Sequence, residues 1–281
     1  MARYFTSDWH LNSESIIKHA HRPFGDSEEM GKHFLNSLTD IRDEHPTVFH
    51  VGDFILSGYD RHGKDVDSDV GKLPFNYWHS TATSCGVNLV MLAGNHDNGH
   101  NCEADCNSMV IDLNQHYKNV SVGHFPSNSE VKVESRSGRK TISRQQVVGY
   151  KGWNGRGNRI HIHLCGHVHD KWLMSFDAER MVLNVNVGVD VWDYKPVRDS
   201  EITKLLDYFR VTLWTKINPS YGKWTNFVLT RQAFDQFKIA HSAEAKAQRE
   251  LRKAEKLAKK GLTPEECERR RIEAMKKKGL L

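Results

Sequence analysis

The chain has 281 residues, 38% of them apolar, and a formal net charge of +5. That supports one substantial core with room for an appendage. No stretch approaches the roughly 20 apolar residues of a membrane span, so no membrane association is expected. The five cysteines are odd in number and irregularly spaced, which argues against a disulfide framework. The first residues lack the apolar run of a secretory signal. A cytoplasmic protein is expected. The charge is unevenly placed: residues 241–281 hold 13 Lys or Arg against 7 Asp or Glu, a net +6, so the first 240 residues are near −1. Global charge therefore gives no reason to read the body of the chain as nucleic-acid-binding.

In chain order, 2–6 reads as a strand delivering Asp8-Trp9-His10. Residues 27–41 carry helical apolar spacing through Met30, Phe34, Leu38 and Ile41. A short β-rich run, 47–51, leads to Gly52-Asp53. The polar stretch 58–86 contains Leu73 to Trp78, read as a pocket cover or a helix start. Strand 88–93 leads to Gly94-Asn95-His96-Asp97. Residues 106–117 are expected to form a short helix, and 120–122 a strand before Gly123-His124. The polar segment 127–158 reads as a long active-site loop with a hairpin around Ser137-Gly138. Strand 159–165 precedes Gly166-His167-Val168-His169. Strand 181–187 is closed by Gly188, and a helix over 202–209 is expected to be capped by Asp199 or Ser200.

From about Ala240, Ala, Lys, Arg and Glu dominate, with no aromatic residue after Phe237. Residues 243–260 have helix-forming composition but a sparse apolar stripe. Thr263-Pro264-Glu265-Glu266 is a good helix start. The expected organisation is a catalytic domain over 1–210, an extension packed on it over 211–240, and a basic, partly helical or disordered tail over 241–281.

The recurring unit is a short apolar run ending in Asp, Asn or His. Strand–connection–strand rhythm favours a layered α/β fold, and open α/β sheets bind ligands beyond the carboxyl ends of their strands. Asp8 and His10, two residues apart, would share one side of an extended backbone. They offer a carboxylate and an imidazole to one metal ion, with His169. Asp53 is placed to bridge two ions. Asn95, His124 and His167 complete the second. Such mixed oxygen and nitrogen donors suit Mn, Fe, Zn, Ni or Co better than Ca. His96, beside Asn95, is read as a phosphate donor and proton source, with Asp97 orienting its ring. His161 and His163 are alternatives to His124, though more simply buried or supporting histidines. His124 is preferred because a strand leads to it and Pro126 stops extension after it. His100, Cys102 and Cys106 form a weak second cluster, better read as local packing.

At these residues the chain resembles the calcineurin-like metallophosphoesterase superfamily. The resemblance covers roughly residues 3–210. The pattern is Asp8-x-His10, Gly52-Asp53, Gly94-Asn95-His96-Asp97, His124 and Gly166-His167-x-His169. Tyr4 to His10, His124-Phe125-Pro126 and Asn186 to Val197 look like a small group of bacterial and phage predicted phosphoesterases. The resemblance implies a four-layer αββα sandwich and hydrolysis of phosphoesters by a metal-bridging hydroxide. It assigns Asp8, His10, Asp53 and His169 to one ion, Asp53, Asn95, His124 and His167 to the other, and the catalytic histidine role to His96. Two divalent or transition metal ions are expected, Mn²⁺ foremost.

For the substrate, a phosphodiester or nucleic-acid-related molecule is favoured. Asn95 and His96 would contact its phosphate, and Arg144, Trp153 and Arg156 the remainder. The basic tail adds a potential nucleic-acid contact. The alternatives are a phosphomonoesterase or nucleotide phosphatase, and a noncatalytic nucleic-acid-associated protein. The last predicts missing ligands, whereas every expected ligand is present.

Overall fold

The computed structural model describes residues 2–55, 75–97, 108–127, 130–134, 140–144, 160–210, 225–236 and 238–239. In chain order these form β1 (Arg3–Thr6), α1 (Glu14–His19), α2 (Ser27–Thr39), β2 (Thr47–Val51), α3 (Phe75–Ser84), β3 (Asn88–Leu92), β4 (Ser108–Ile111) and β5 (Val120–Gly123). They continue with β6 (Glu130–Glu134), β7 (Lys140–Arg144), β8 (His161–Cys165), β9 (Met174–Asp177), β10 (Val182–Asn186), a 3₁₀ turn (Val189–Val191), β11 (Val197–Arg198), α4 (Asp199–Tyr208) and β12 (Phe227–Leu229). The chain is mixed α/β. It divides into two compact units, Met1–Thr230 and Arg231–Leu281. Among the described residues no helix is long and apolar enough to cross a membrane.

The first unit holds two mixed sheets. One has the order β11-β1-β2-β3, the other β12-β9-β10-β8-β5-β4. In the first, β1, β2 and β3 run parallel and β11 is antiparallel at the edge. In the second, β5, β8 and β10 run parallel, with antiparallel neighbours outside them. Within each parallel trio the carboxyl ends lie on one edge. A backbone bond joins these two edges, Val189 N–H donating to the Ser7 carbonyl at 3.1 Å. The Ser7 hydroxyl also donates to Val51 O at 2.7 Å.

Side-chain alternation along the first sheet gives it two buried faces. Val48, Leu89 and Met91 join Met30, Phe34, Leu38, Trp78 and Trp9 in one apolar cluster with α1, α2 and α3. Phe5, Phe49 and Leu92 sit one residue out of phase and are buried outside that cluster. Phe5 stacks on Phe49 with centroids 5.2 Å apart. In the second sheet every residue of β10 is buried, as expected of a central strand covered on both faces.

The helix over Ser27–Thr39 starts at Asp26, whose carboxylate accepts from Glu29 N–H at 2.7 Å. Glu29 in turn accepts from Gly25 N–H at 2.6 Å. The cap satisfies one amide that the first turn leaves open, that of Glu29, and ties down the Gly25 amide just before the helix.

Several expectations change. The helix expected over 106–117 is instead β4 followed by a turn. Val110 and Ile111 pair with Ser121 and Val120, and Asn114 Oδ1 reverses the chain by accepting from His116 and Tyr117 N–H. Neither Asp199 nor Ser200 caps α4; Arg198 holds the cap position without a side-chain bond. The Asp199 carboxylate is held by Arg3 Nε at 3.2 Å. Short elements β9, β11, β12 and α1 were not anticipated. Strand β12 comes from the segment read as an extension, and pairs with β9. The 127–158 segment contains the antiparallel pair β6–β7, with Glu134 opposite Lys140. The Ser137-Gly138 turn, all of 58–74, the His100–Cys106 cluster and the tail helices lie outside the described residues.

Candidate metal centre

The site is built where the parallel strands end. Asp8 and His10 follow β1, Asp53 follows β2, Asn95 to Asp97 follow β3, His124 follows β5, and His167 and His169 follow β8. The backbone between them is not extended, as Asp8 and His10 were expected to be. Asp8, His10, Asp53, His167 and His169 all have positive φ, between 49° and 69°. L-residues enter this region at a cost, and such residues cluster at functional sites. Left-handed turns at Asp8 and His10 bring both side chains to the site. Trp9 between them is fully buried, stacked on Phe34 and Phe54 with centroids 5.1 and 5.5 Å away.

Asp53 is central. One oxygen, Oδ2, lies 3.5 Å from His10 Nε2 and 3.2 Å from His124 Nε2. The other, Oδ1, accepts from His96 N–H at 2.9 Å. Two glycines allow the approach. Gly52, at φ 86°, has His124 Nδ1 where a Cβ would come within 2.6 Å, and a Cβ on Gly94 would collide with Asp53.

Among the described residues three sets of donor atoms could each hold an ion: Asp8, His10 and His169; Asp53, His124 and His167; and His10, Asp53 and His96. Within each set the donors lie within 4.8 Å of one another. The Asn95 Oδ1 is 3.1 Å from His124 Nε2, which adds an amide oxygen to the second set. His10 Nε2 is buried with no hydrogen-bond partner among the described residues, yet it faces Asp8 and Asp53 at 4.0 and 3.5 Å. A buried nitrogen left open between two carboxylates suits a cation. The residues present therefore fit a metal site of oxygen and imidazole donors.

Electrostatics point the same way. Burial pushes the Asp8 carboxyl up and the His10 ring well down. Burial would also raise Asp53, but His124, His10 and His96 outweigh it and hold its carboxyl below the usual range. Burial would lower His124, yet the Asp53 carboxylate brings it up to about 9. Burial takes His167 down to about 4. The cluster concentrates carboxylates and imidazoles whose charges depend on one another.

The rings are set from behind. His124 Nδ1 donates to the Val51 carbonyl at 2.9 Å, which turns Nε2 to the site. His169 Nδ1 lies 2.9 Å from Asp190 Oδ2. His167 N–H donates to both oxygens of Asp8 at 3.0 Å. Asn186 Nδ2 donates to His169 O and Trp172 O at 2.7 and 2.8 Å, tying the β8 loop to β10.

His124 stands in the cluster, while His161 and His163 bracket Ser121. The Ser121 hydroxyl oxygen lies 2.8 Å from His161 Nε2 and 2.7 Å from His163 Nδ1, and His163 Nε2 donates to Phe125 O at 2.9 Å. They flank the strand leading to His124 and lie outside the donor sets found among the described residues.

The Asp97 carboxylate accepts from Asp53, Phe54 and Gly94 N–H at 2.7, 3.0 and 2.8 Å, so it ties two loops together. His96 is exposed, its ring 5.0 Å from that of His10. Arg144 ends β7, and Trp153 and Arg156 lie outside the described residues. Sequence reasoning missed Ser7, Arg22, Asn186 and Asp190. The last two lie in the Asn186–Val197 run that carries the resemblance, whereas no local signal marks Arg22.

What the fold and site define is a mixed α/β protein with a buried His/Asp cluster able to hold metal. The chain is similar to the uncharacterized protein MJ1445 of Methanocaldococcus jannaschii, with 26% identity over 208 residues, 74% of this chain and 93% of that one. Among solved structures it is similar to AQ665 of Aquifex aeolicus, a protein of unknown function. That match has 21% identity, a TM-score of 0.46, and covers 73% of this chain and 98% of the other. No protein-family model matches the chain.

Proposed function

We propose that this chain is a metal-dependent phosphoesterase of the calcineurin-like type, with its two sheets and flanking helices arranged as an αββα sandwich. The observation that carries the reading is Asp53 Oδ2, set between His10 Nε2 at 3.5 Å and His124 Nε2 at 3.2 Å, with a further group of donors on either side. A single carboxylate oxygen between two imidazole-bearing groups suits two ions sharing one ligand. Asp8, His10, His169 and Asp53 would hold one ion. Asp53, Asn95, His124 and His167 would hold the other.

When bound, the metal pair supplies Lewis acidity toward phosphoryl oxygens and makes a water more acidic. The chain's own groups do the rest. Asn95 and His96 contact the phosphate. Water adds at phosphorus, the bond to the departing oxygen breaks, and the His96 ring delivers a proton to that oxygen. Asp97 keeps the loops of Asp53 and His96 in register.

A phosphodiester is the favoured substrate, on the strength of Arg144, Trp153 and Arg156 in the sequence and the basic residues of 241–281. Mn²⁺ is the first metal to test. The experiment is turnover of bis-p-nitrophenyl phosphate and p-nitrophenyl phosphate by Mn²⁺-loaded protein. Diester cleavage is expected to dominate. Dominant monoester cleavage would make the chain a phosphomonoesterase, and no cleavage of either by fully loaded protein would overturn the reading.

A further inference from the structure

Arg22 is buried beneath the site, between α1 and α2 in sequence, and its five N–H groups all have partners. Nε and Nη2 donate to Asp190 Oδ1 and Oδ2 at 2.8 and 2.9 Å. Nη2 also donates to Asp8 O at 2.6 Å, and Nη1 to Trp9 O at 3.0 Å and Met30 Sδ at 3.4 Å. Both partners of the ion pair are shut off from solvent, with side-chain exposures of 0% and 1%. Asp190 Oδ2 then accepts from His169 Nδ1 at 2.9 Å.

A buried, forked pair of this kind rarely raises stability over an apolar filling of the same volume, so its presence calls for another reason. The partners supply one. The two carbonyls held by Arg22 belong to the turn in which Asp8 and His10 take positive φ. The carboxylate held by Arg22 fixes His169 with the proton on Nδ1, which leaves the Nε2 lone pair for the site. All three residues of one donor set, Asp8, His10 and His169, are therefore set by this pair. Two members of the other set have different anchors, the Val51 carbonyl behind His124 and the Asp97 carboxylate behind Asp53, while its His167 N–H reaches back to the Asp8 carboxylate at 3.0 Å.

We propose that the Arg22–Asp190 pair is a positioning device chiefly for the ion of Asp8, His10 and His169, so that its loss weakens that ion more than the other. This rests on the two-ion reading above. The geometry gives the pair no contact with substrate; it acts through His169 and the Asp8–His10 turn.

The test is Mn²⁺ titration of metal-free protein by calorimetry, with bound metal counted after dialysis and folding checked by circular dichroism. Wild type should bind two ions. Asp190→Asn should bind one ion about 10- to 100-fold more weakly and change the affinity for the other much less. Because Asp190→Asn leaves the guanidinium without its counter-charge and can unfold the chain, the double variant Arg22→Met/Asp190→Leu fills the space with apolar groups and should give the same split. A folded variant that binds both ions at wild-type affinity overturns the proposal. So does a folded variant that weakens both equally, since the pair would then serve the fold as a whole. Wild type binding fewer than two ions would instead overturn the two-ion reading beneath it.

Discussion

Asp97 holds Asp53 by its backbone: the carboxylate accepts from the Asp53 amide at 2.7 Å while Asp53 Oδ1 accepts from the His96 amide at 2.9 Å. The two loops thus exchange side-chain-to-backbone bonds in both directions. Phe54, Ile55 and Gly94 amides complete the set on Asp97. Removing this carboxylate leaves four amides, that of Ile55 the most weakly held, to be satisfied in a buried place. Asp97→Ala should lose about 2–4 kcal/mol of stability, since each buried unsatisfied group costs about 1–3 kcal/mol and some will find water. Urea denaturation reads this directly. His96→Ala, at an exposed ring, should leave the urea midpoint within error of wild type while turnover of the diester falls at least 100-fold. Equal stability losses in the two variants would contradict the division of roles.

His124 and His163 are both buried, yet only His124 belongs to a donor set. His124→Ala should reduce bound Mn²⁺ by one ion per chain in metal analysis after dialysis. His163→Ala should lower stability and keep both ions. A His163 variant short of one ion, with His124 unchanged, would reverse the assignment.

The same His163 sets a pH dependence. Burial takes its ring down to about 4, against 6.5 ordinarily. The folded state therefore disfavours the proton that the unfolded chain takes up near pH 6.5. Its contribution is complete above pH 6.5 and is lost as pH falls from there to about 4. A shift of this size is worth on the order of 3 kcal/mol. Metal-free wild type should lose more stability between pH 7 and pH 4.5 than His163→Gln, which does not titrate. Parallel losses in urea denaturation would refute the assignment.

Trp9 lies fully buried between two residues of the site, and its indole N–H donates to Thr6 Oγ1 at 2.7 Å. Trp9→Ala opens a cavity against Phe34 and Phe54 and should cost about 3–5 kcal/mol. Because the same turn presents Asp8 and His10, metal affinity should fall with it. Trp9→Phe keeps most of the ring packing and should retain metal binding. Thermal melts with and without Mn²⁺ check both.

Much of this protein was legible in the sequence because the signals are local. The runs at 47–51 and 88–93 are β-rich and short, and each ends at a glycine or an alanine-glycine step that frees the next polar residue. Strand-end placement alone grouped Asp8, His10, Asp53, Asn95, His124, His167 and His169 as one set. The misreadings came where distant contacts decide. Residues 108–111 have no helix to join because β5 offers their amides a ladder. Asp199 fails to cap α4 because Arg3, 196 residues away, holds its carboxylate.

The sequence by itself determined which donors the site has, since residue type and strand-end position are properties of a few neighbouring residues. Only the tertiary structure decided how those donors are aimed. The left-handed turns at Asp8, His10, Asp53, His167 and His169, the loop-tying role of Asp97, and the Arg22–Asp190–His169 chain depend on bonds between segments 21 to 168 residues apart. Such bonds form only when folding brings the strand ends together and excludes the water that would otherwise satisfy the same groups.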